Sequence, residues 1–301
     1  MTDMYRQLSG GGGGRLSFGG DEFIFVELSE EMRIQQALTI QTLARTLTAM
    51  NLPGVTDVCP SHASYMIRYI PERVNLPELL ATLQGVHEEI VTGRPATINT
   101  RIVDVPVYYN DPWTREALMK FRDRHQDPGS TDIEYAARVN GFESIDELIA
   151  AHTRHPFLVT FMNFVPGNAE SVQLVPRELQ IEVPKYKSPR TETPSRAVGH
   201  GGAFTNIYPS AGAGGVQLLG RTPINVVDMT QTRADFRERP VLFPAGTLIS
   251  FRAISEAEYF DIRAAVDADE YRVRVADIEF SVGKHLEDWE TYNDELLEAL
   301  R

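Results

Sequence analysis

The chain has 301 residues, 42% of them apolar, a net charge of −13 and a single cysteine, Cys59. The apolar content argues against disorder, and an acidic balance without a lysine/arginine block argues against nucleic acid and anionic membrane surfaces as partners, because their affinity rests on phosphate neutralisation. A lone cysteine makes no internal disulfide, no charged-then-apolar leader is visible, and no apolar run approaches the roughly 20 residues of a membrane helix, so a cytoplasmic location is expected.

In chain order, residues 1–15, with the run Gly10–Gly14, read as a flexible lead. No helix start follows these glycines, so they are not expected to cradle phosphate. Glu22–Leu28 reads as a strand. Ser29 is a candidate N-cap for a helix carrying Met32, Leu38, Leu43, Leu47 and Met50. Val55–Val58 and Tyr65–Ile70 read as strands, Asn75–Ile90 as a helix opened by Pro77, and Thr100–Tyr108 as a fourth strand. This β-α-β-β-α-β order predicts a ferredoxin-like α/β domain over residues 16–108.

Residues 109–155 read as a helical linking segment. Thr114–His125 places Ala117, Leu118 and Phe121 on one face, Asp132–Val139 stops at Asn140-Gly141, and Ser144-x-x-Glu147 has capping-box spacing. From 156 to 283 the texture changes to short strand candidates: Phe157–Phe164, Gln180–Val183, Gly202–Ile207, Val216–Leu219, Leu248–Ala253 and Tyr271–Phe280. Glycine and proline divide them, as in a β-barrel or sandwich. Residues 284–301 read as a C-terminal helix anchored by Trp289 and Tyr292. The fold class expected is α+β.

Most motifs that carry chemistry are absent: no phosphate-binding P-loop, no G-x-S-x-G elbow and no H-E-x-x-H pair. The seven histidines are scattered, so no metal site is expected. Met119-Lys120 has the dipeptide of a biotin attachment site, but its flanks are helical and no covalent biotin is expected. What remains is Lys185–Pro223, rich in glycine, with four prolines and five cations, and without sustained periodicity. Loops of this kind on a rigid scaffold are where binding concentrates. Arg190 and Arg221 sit in turn contexts and are candidates for carboxylate recognition, because the guanidinium fork matches a carboxylate. Lys187 and Arg196 read as solvated charges or as partners of Glu192 and Glu182. His200, flanked by Gly199, Gly201 and Gly202, reads as an accessible imidazole or a structural one. Tyr208 reads as core or pocket lining, and Asn163 is the one obvious polar contributor of Phe161–Gly167.

These residues resemble a known family. Val198 to Phe204, Ile207-Tyr208, Gly214-Gly215-Val216-Gln217 and Leu219-Gly220-Arg221-Thr222-Pro223 are similar to the glycine-pair and G-R-T-P signature of one carboxyltransferase family. It is the family of allophanate hydrolase subunit 1 and the corresponding 5-oxoprolinase subunits, the N-terminal half of a carboxyltransferase unit. Lys185-Tyr186, with Arg190-Thr191-Glu192-Thr193-Pro194, resembles the K-Y-x-x-x-R-T-x-T-P run of its urea carboxylase branch. Asp111-Pro112-Trp113-Thr114-Arg115-Glu116, and Asp132 to Tyr135 with Arg138 to Gly141, resemble two further segments of that branch.

The resemblance implies a cyclophilin-like β-barrel after the first domain. It also implies a biotin-dependent carboxyltransferase subunit, inactive alone. This subunit would move a carboxyl group from carboxybiotin, held on a separate carrier, to urea or a related amide or guanidine-like acceptor. Implied partners are the second carboxyltransferase half (allophanate hydrolase subunit 2-like), a biotin carboxylase and a biotin carrier protein. Arg221, His200 and Arg190 are the implied catalytic residues. Asn206, Tyr208, Gly201, Gly202, Gly214, Gly215, Gln217 and Lys185 are the implied substrate-binding ones. The segments Phe161–Phe164 and Asn168–Ser171 depart from the family pattern, which points away from urea itself more than from carboxyl transfer. A subunit of an ATP-dependent 5-oxoprolinase-like lactamase, or a kinase-inhibitor-like regulatory protein, are the alternatives.

Overall fold

The structure, a computed structural model, describes residues 5–8 and 14–301. Cα packing divides the chain into two compact units. One holds the residues up to Asn99 together with Glu279–Glu290, and the other holds Thr100–Ile278 and Thr291–Arg301.

The first unit carries strands β1 (Tyr5–Gln7), β2 (Arg15–Gly19) and β3 (Phe23–Glu27), helix α1 (Ile34–Ala49), the hairpin β4 (Val55–Pro60) and β5 (Ser64–Tyr69), and helix α2 (Leu76–Thr92). The sheet order is β1-β2-β3-β5-β4. Apolar residues alternate toward the helices: Leu16, Ile24, Val26 and Ile67 pack with Ile40, Leu43, Leu47 and Leu83. Three expectations need correction. The Gly10–Gly13 part of the lead lies outside the described residues, but Tyr5–Gln7 is a strand paired with Arg15–Ser17. Ser29 does not cap α1, which starts at Ile34 after an uncapped Arg33; the Ser29 hydroxyl instead accepts from the Glu31 N–H at 2.9 Å. The predicted fourth strand is not in this sheet, and the place beside β3 that a ferredoxin-like arrangement would give it is taken by β2.

That strand, β6 (Thr97–Tyr109), runs in the second sheet instead. Its residues Ile102–Val107 are all buried, which suits a closed sheet covered on both faces rather than a half-open one. The second unit adds helices α3 (Pro112–Lys120), α4 (Asp132–Val139) and α5 (Ile145–Arg154), then β7 (Phe157–Met162), β8 (Ala169–Gln173), β9 (Arg190–Thr193), β10 (Ala197–Gly201), β11 (Phe204–Ile207), β12 (Gly212–Gly214), β13 (Gln217–Arg221) and β14 (Leu248–Ala253). Helix α6 (Glu256–Asp267), β15 (Val275–Ser281), α7 (Val282–Glu287) and α8 (Trp289–Glu298) complete the chain.

The large sheet runs β13-β10-β11-β8-β7-β14-β6-β15, and the further pairing of β13 with β6 closes seven of these strands into a ring. Its interior is Val105, Val107, Phe157, Val159, Val198, Leu219, Ile249 and Phe251. Ile133, Tyr135 and Ala136 of α4 and Leu148 of α5 join the same core, so these helices are part of the barrel body rather than a link to it. Their caps follow from sequence: Asp111 accepts from the N–H groups of Trp113 and Thr114, Thr131 and Glu134 form a full capping box, and Ser144 accepts from Glu147. Gln180–Val183 is not a strand and contributes only a bridge between Val183 and Gly202. The predicted C-terminal helix is two helices, α7 and α8.

Candidate functional site

The glycine-rich stretch folds into β9 to β13, and strand alternation sorts its side chains onto two faces of the ring. Val198, Ile207 and Leu219 face the barrel core, whereas Ala197, Tyr208, Val216 and Leu218 form a second cluster with Ala117 on the opposite face. A short ribbon of β9 and β12 pairs Arg190 with Gly214 and Thr193 with Gly212. Glycine is required here by close approach: a Cβ on Gly214 would overlap the Tyr208 hydroxyl. Gly202 turns β10 into β11 with φ of 60°, the left-handed region.

His200 is on the core face, 1% exposed, which corrects the reading of an accessible imidazole. Its Nε2 lies 2.8 Å from the Ile181 carbonyl and its Nδ1 2.7 Å from the Thr205 hydroxyl. The same hydroxyl is 3.0 Å from Nε2 of the buried His152, whose Nδ1 is 2.8 Å from the Tyr109 hydroxyl. A carbonyl only accepts, so one tautomer assignment uses every hydrogen. Tyr109 donates to His152, His152 to Thr205, Thr205 to His200, and His200 to Ile181, with both rings neutral. Burial agrees, lowering the His200 pKa to about 4 and that of His152 well below its ordinary value, where the neighbouring His200 adds to the effect.

Arg190 is also fully buried. Its Nη2 donates to the Val216 carbonyl at 2.8 Å, its Nε to Thr193 at 3.3 Å, and its guanidinium lies 4.4 Å from the centre of the Tyr186 ring. Nη1 is 3.7 Å from the Asp132 carboxylate, which accepts from the Tyr186 hydroxyl at 2.5 Å and the Leu218 N–H at 2.7 Å. Gln217 closes this node from the other side, accepting from His125 at 2.8 Å and donating to the Pro184 carbonyl at 2.7 Å. Arg190 and Gln217 thus tie the β9–β12 ribbon, α4 and β13 together.

Other candidates stand nearer to solvent. Arg221 is partly exposed; its Nε donates to the Ser195 carbonyl at 2.9 Å and its guanidinium stacks 4.9 Å from the centre of the Trp113 ring. No partner is described for its two terminal nitrogens among the described residues. Lys185 is exposed and lines an open cleft of 1040 Å³ with Asn140, Glu182 and Gly202. The Gly215 carbonyl accepts from the Tyr186 N–H at 2.7 Å. Asn206 is buried, and its side-chain N–H donates to Glu170 at 3.1 Å while its Oδ1 has no hydrogen-bond partner. Gly201 lies on the same strand face as Gly199, beside Lys185 and Val216.

Sequence reasoning flags Glu170, which is 7% exposed and receives hydrogen bonds from Asn163 and Asn206, only as part of the departing segment Asn168–Ser171 and gives it no role. It also misplaces Arg196, which is half-buried; Glu192 pairs with Lys120 and Glu182 with Arg177 instead. Trp113, beneath Arg221, belongs to the Asp111–Glu116 segment, and no local pattern there signals its place under a guanidinium. Among the described residues no group of three His, Cys, Asp or Glu side chains could hold a metal ion, and no helix is long and apolar enough to cross a membrane. The site offers cationic and amide donors and close backbone approach, without a paired nucleophile and base.

Comparison with known proteins agrees with this geometry. The chain is 27% identical over 252 residues to a 5-oxoprolinase subunit of Bacillus subtilis, covering 80% of this chain and 92% of that subunit. It is 28% identical over 276 residues to urea amidolyase of Saccharomyces cerevisiae, covering 89% of this chain but 14% of that protein. The crystal structure of Kluyveromyces lactis urea carboxylase has the same fold, with a TM-score of 0.80 at 22% identity over 98% of this chain and 26% of that one. Residues 15–236, which include the whole glycine-rich stretch, match the family described as carboxyltransferase domain, subdomain C and D, and the chain belongs to that family.

Proposed function

We propose that this chain is one half of a carboxyltransferase that moves a carboxyl group from carboxybiotin to urea or a related small amide or guanidine-like acceptor. The observation that supports it is the family match over residues 15–236, which takes in every candidate site residue. Carboxybiotin, carried on a separate protein, supplies the carboxyl group when bound. The donor set fits such a group, because Arg221 is held by Nε and by the Trp113 ring while no partner for its terminal nitrogens is found among the described residues. A guanidinium fixed in this way meets a carboxylate or ureido oxygen without reorganising, which is how preorganised donors stabilise developing charge. Asn206 Oδ1, a buried acceptor without a partner, suits an acceptor N–H, and Tyr208 stands two residues on, just past the end of β11. His200 and Arg190 support the site from beneath by holding β10, β13 and the ribbon.

Partners in this reading are the second carboxyltransferase half, a biotin carboxylase and a biotin carrier protein. The test is reconstitution with the second half and a carboxylated carrier, following labelled carboxyl appearance on urea and on guanidine-like acceptors. Transfer to one of these supports the reading, and its absence with an active carrier overturns it.

A second reading is a subunit of an ATP-dependent lactamase. It is favoured by one observation: the chain spans 92% of the B. subtilis 5-oxoprolinase subunit, whereas it spans a seventh or less of the urea amidolyases. ATP-dependent 5-oxoproline opening by the reconstituted complex, unaffected by avidin, assigns this function instead.

A further inference from the structure

We infer that Arg196, Arg221 and Arg263 form a binding site for a carboxylate at the rim of the barrel, with Trp113 and Tyr259 as its aromatic floor. The three guanidinium groups converge on one pair of strand ends. Ala197 is in register with Arg221. Arg221 Nε donates to the Ser195 carbonyl at 2.9 Å, the Thr222 N–H donates to the Arg196 carbonyl at 3.0 Å, and Arg263 donates to the Pro223 carbonyl at 2.7 Å. The Trp113 ring under Arg221 packs 5.1 Å from Tyr259, centre to centre.

The cluster has more positive charge than the protein around it neutralises. Arg263 is paired with Asp267 and donates to Asn225. Asp267 and Asp111 act on Arg196 and Arg221 only through space and, among the described residues, neither of these two has an ion pair, although the chain as a whole carries −13. Arg196 Nε is buried without a hydrogen-bond partner, a cost of about 1–3 kcal/mol for an ordinary polar group and more for a charged one. Its backbone is held at φ of 64°, a conformation that disfavours any side chain with a Cβ. Burial, followed by the charges of Arg263 and Arg221, lowers the Arg196 pKa, and the Tyr259 hydroxyl opposes this only in part. Half-buried, mutually repelling guanidinium groups that share only Asp267 and, through space, Asp111, with Arg196 on a strained backbone, are what an oxyanion would relieve, since two N–H groups of one guanidinium match two oxygens of a carboxylate. Arg263 and Tyr259 come from α6, beyond the residues that match the family. The inference goes beyond the carboxyl-transfer reading by adding Arg196 and α6. It holds equally for a carboxylated carrier group or a lactam carboxylate.

The test is titration of the full chain alone with malonate, and with phosphate at matched ionic strength, followed by calorimetry and by thermal melting. Saturable malonate binding that raises the melting temperature is expected. Arg196→Gly suits the left-handed backbone and so removes the side chain without unfolding. It and Arg263→Ala should each weaken binding about tenfold, one charge-assisted hydrogen bond's worth, while the exposed Arg301→Ala leaves it unchanged. Absence of saturable binding, equal binding by Arg196→Gly, or preference for phosphate over malonate would overturn the inference. No carrier, partner protein or ATP is needed, so this result is independent of whether carboxyl transfer is found.

Discussion

Arg190 and Arg221 stand toward the two ends of one cationic stretch, and the fold gives them opposite surroundings. Arg190 is enclosed, with an aromatic ring, two oxygen acceptors and a buried carboxylate around it. Arg221 has one backbone acceptor and one aromatic ring, and no partner for its two terminal nitrogens is found among the described residues. The same residue type is therefore a structural tie in the ribbon and, in the proposed function, a ligand-facing group at the rim. What separates the two roles is how much of the guanidinium the protein itself engages: at Arg190 only Nη1, 3.7 Å from Asp132, is without a hydrogen bond.

Removing Arg190 is the largest way to test that contrast. Arg190→Ala leaves Asp132 buried with its nearest cation gone, and breaking one side of a buried pair costs about 3–5 kcal/mol. Urea denaturation should show that loss. The double variant Arg190→Met with Asp132→Asn removes both charges, leaving the amide oxygen to accept from the Leu218 N–H and the amide N–H to donate to the Tyr186 hydroxyl, so it should recover most of it. A loss below about 1 kcal/mol for the single variant, the size of one ordinary hydrogen bond, would mean that the node does not tie the ribbon down.

Gly214 tests the ribbon from the opposite side. Gly214→Ala places a methyl against the Tyr208 hydroxyl, and overpacking of this kind costs about 1–3 kcal/mol. Gly215→Ala has its nearest neighbour, Pro189, 3.8 Å from the new Cβ and should be close to neutral. Equal melting temperatures for the two variants would show that the ribbon gives way.

The inner histidines make the contrast dependent on pH. In the unfolded chain His200 titrates near 6.5 and in the folded protein near 4, so below pH 6.5 the unfolded state binds the extra proton. The stabilisation is complete above pH 6.5 and is lost as pH falls from there toward 4. From the linkage relation His200 contributes about 2 kcal/mol of loss between about pH 7 and pH 5. His152, lowered in the same direction, adds to it. Denaturant midpoints across this window should fall in the parent. His200→Gln, which can accept from Thr205 and donate to Ile181, should flatten the slope; an unchanged slope would mean that His200 is not held neutral.

How far the sequence carries depends on whether a signal is local. The capped helices α4 and α5 and the strand Leu248–Ala253 appear where hydrogen-bonding side chains and apolar runs put them. Helix α6 is absent from the expected elements although Ser255-x-x-Glu258 and Tyr259, Ile262 and Val266 carry the signal. The partner of β6 is not local. Its register with β14 joins Ile102 to Leu248, far apart in the chain, and only burial on both faces betrays it. The candidate site divides in the same way. Glycine and proline locate the loop and the resemblance locates the family. Alternation along β10 places His200 on the core face and Gly201 beside Lys185 and Val216. Which face is inward depends on ring closure through β6 and β13, which no local pattern reveals. Arg196 is misread from sequence because its unpaired state follows from the pairing of Glu192 and Glu182 with other cations.

The smallest effect on stability sharpens the comparison most. Arg221→Ala removes one hydrogen bond to a backbone carbonyl and a cation–π contact at a partly exposed site, each worth about 0.5–1.5 kcal/mol at most. It also removes a positive charge from beside Arg196, which returns part of that loss. A net change below about 1 kcal/mol is expected in urea denaturation. Against this, a donor preorganised for a developing oxyanion is worth about a hundredfold in rate, so carboxyl transfer by the reconstituted complex should fall by about that factor. Arg221→Lys restores the charge without the fork and should recover stability more than activity, because a point charge cannot hold Ser195 and a carboxylate together. A variant as active as the parent would place the ligand-facing cation elsewhere. A variant that unfolds would make Arg221 a tie like Arg190 and abolish the contrast.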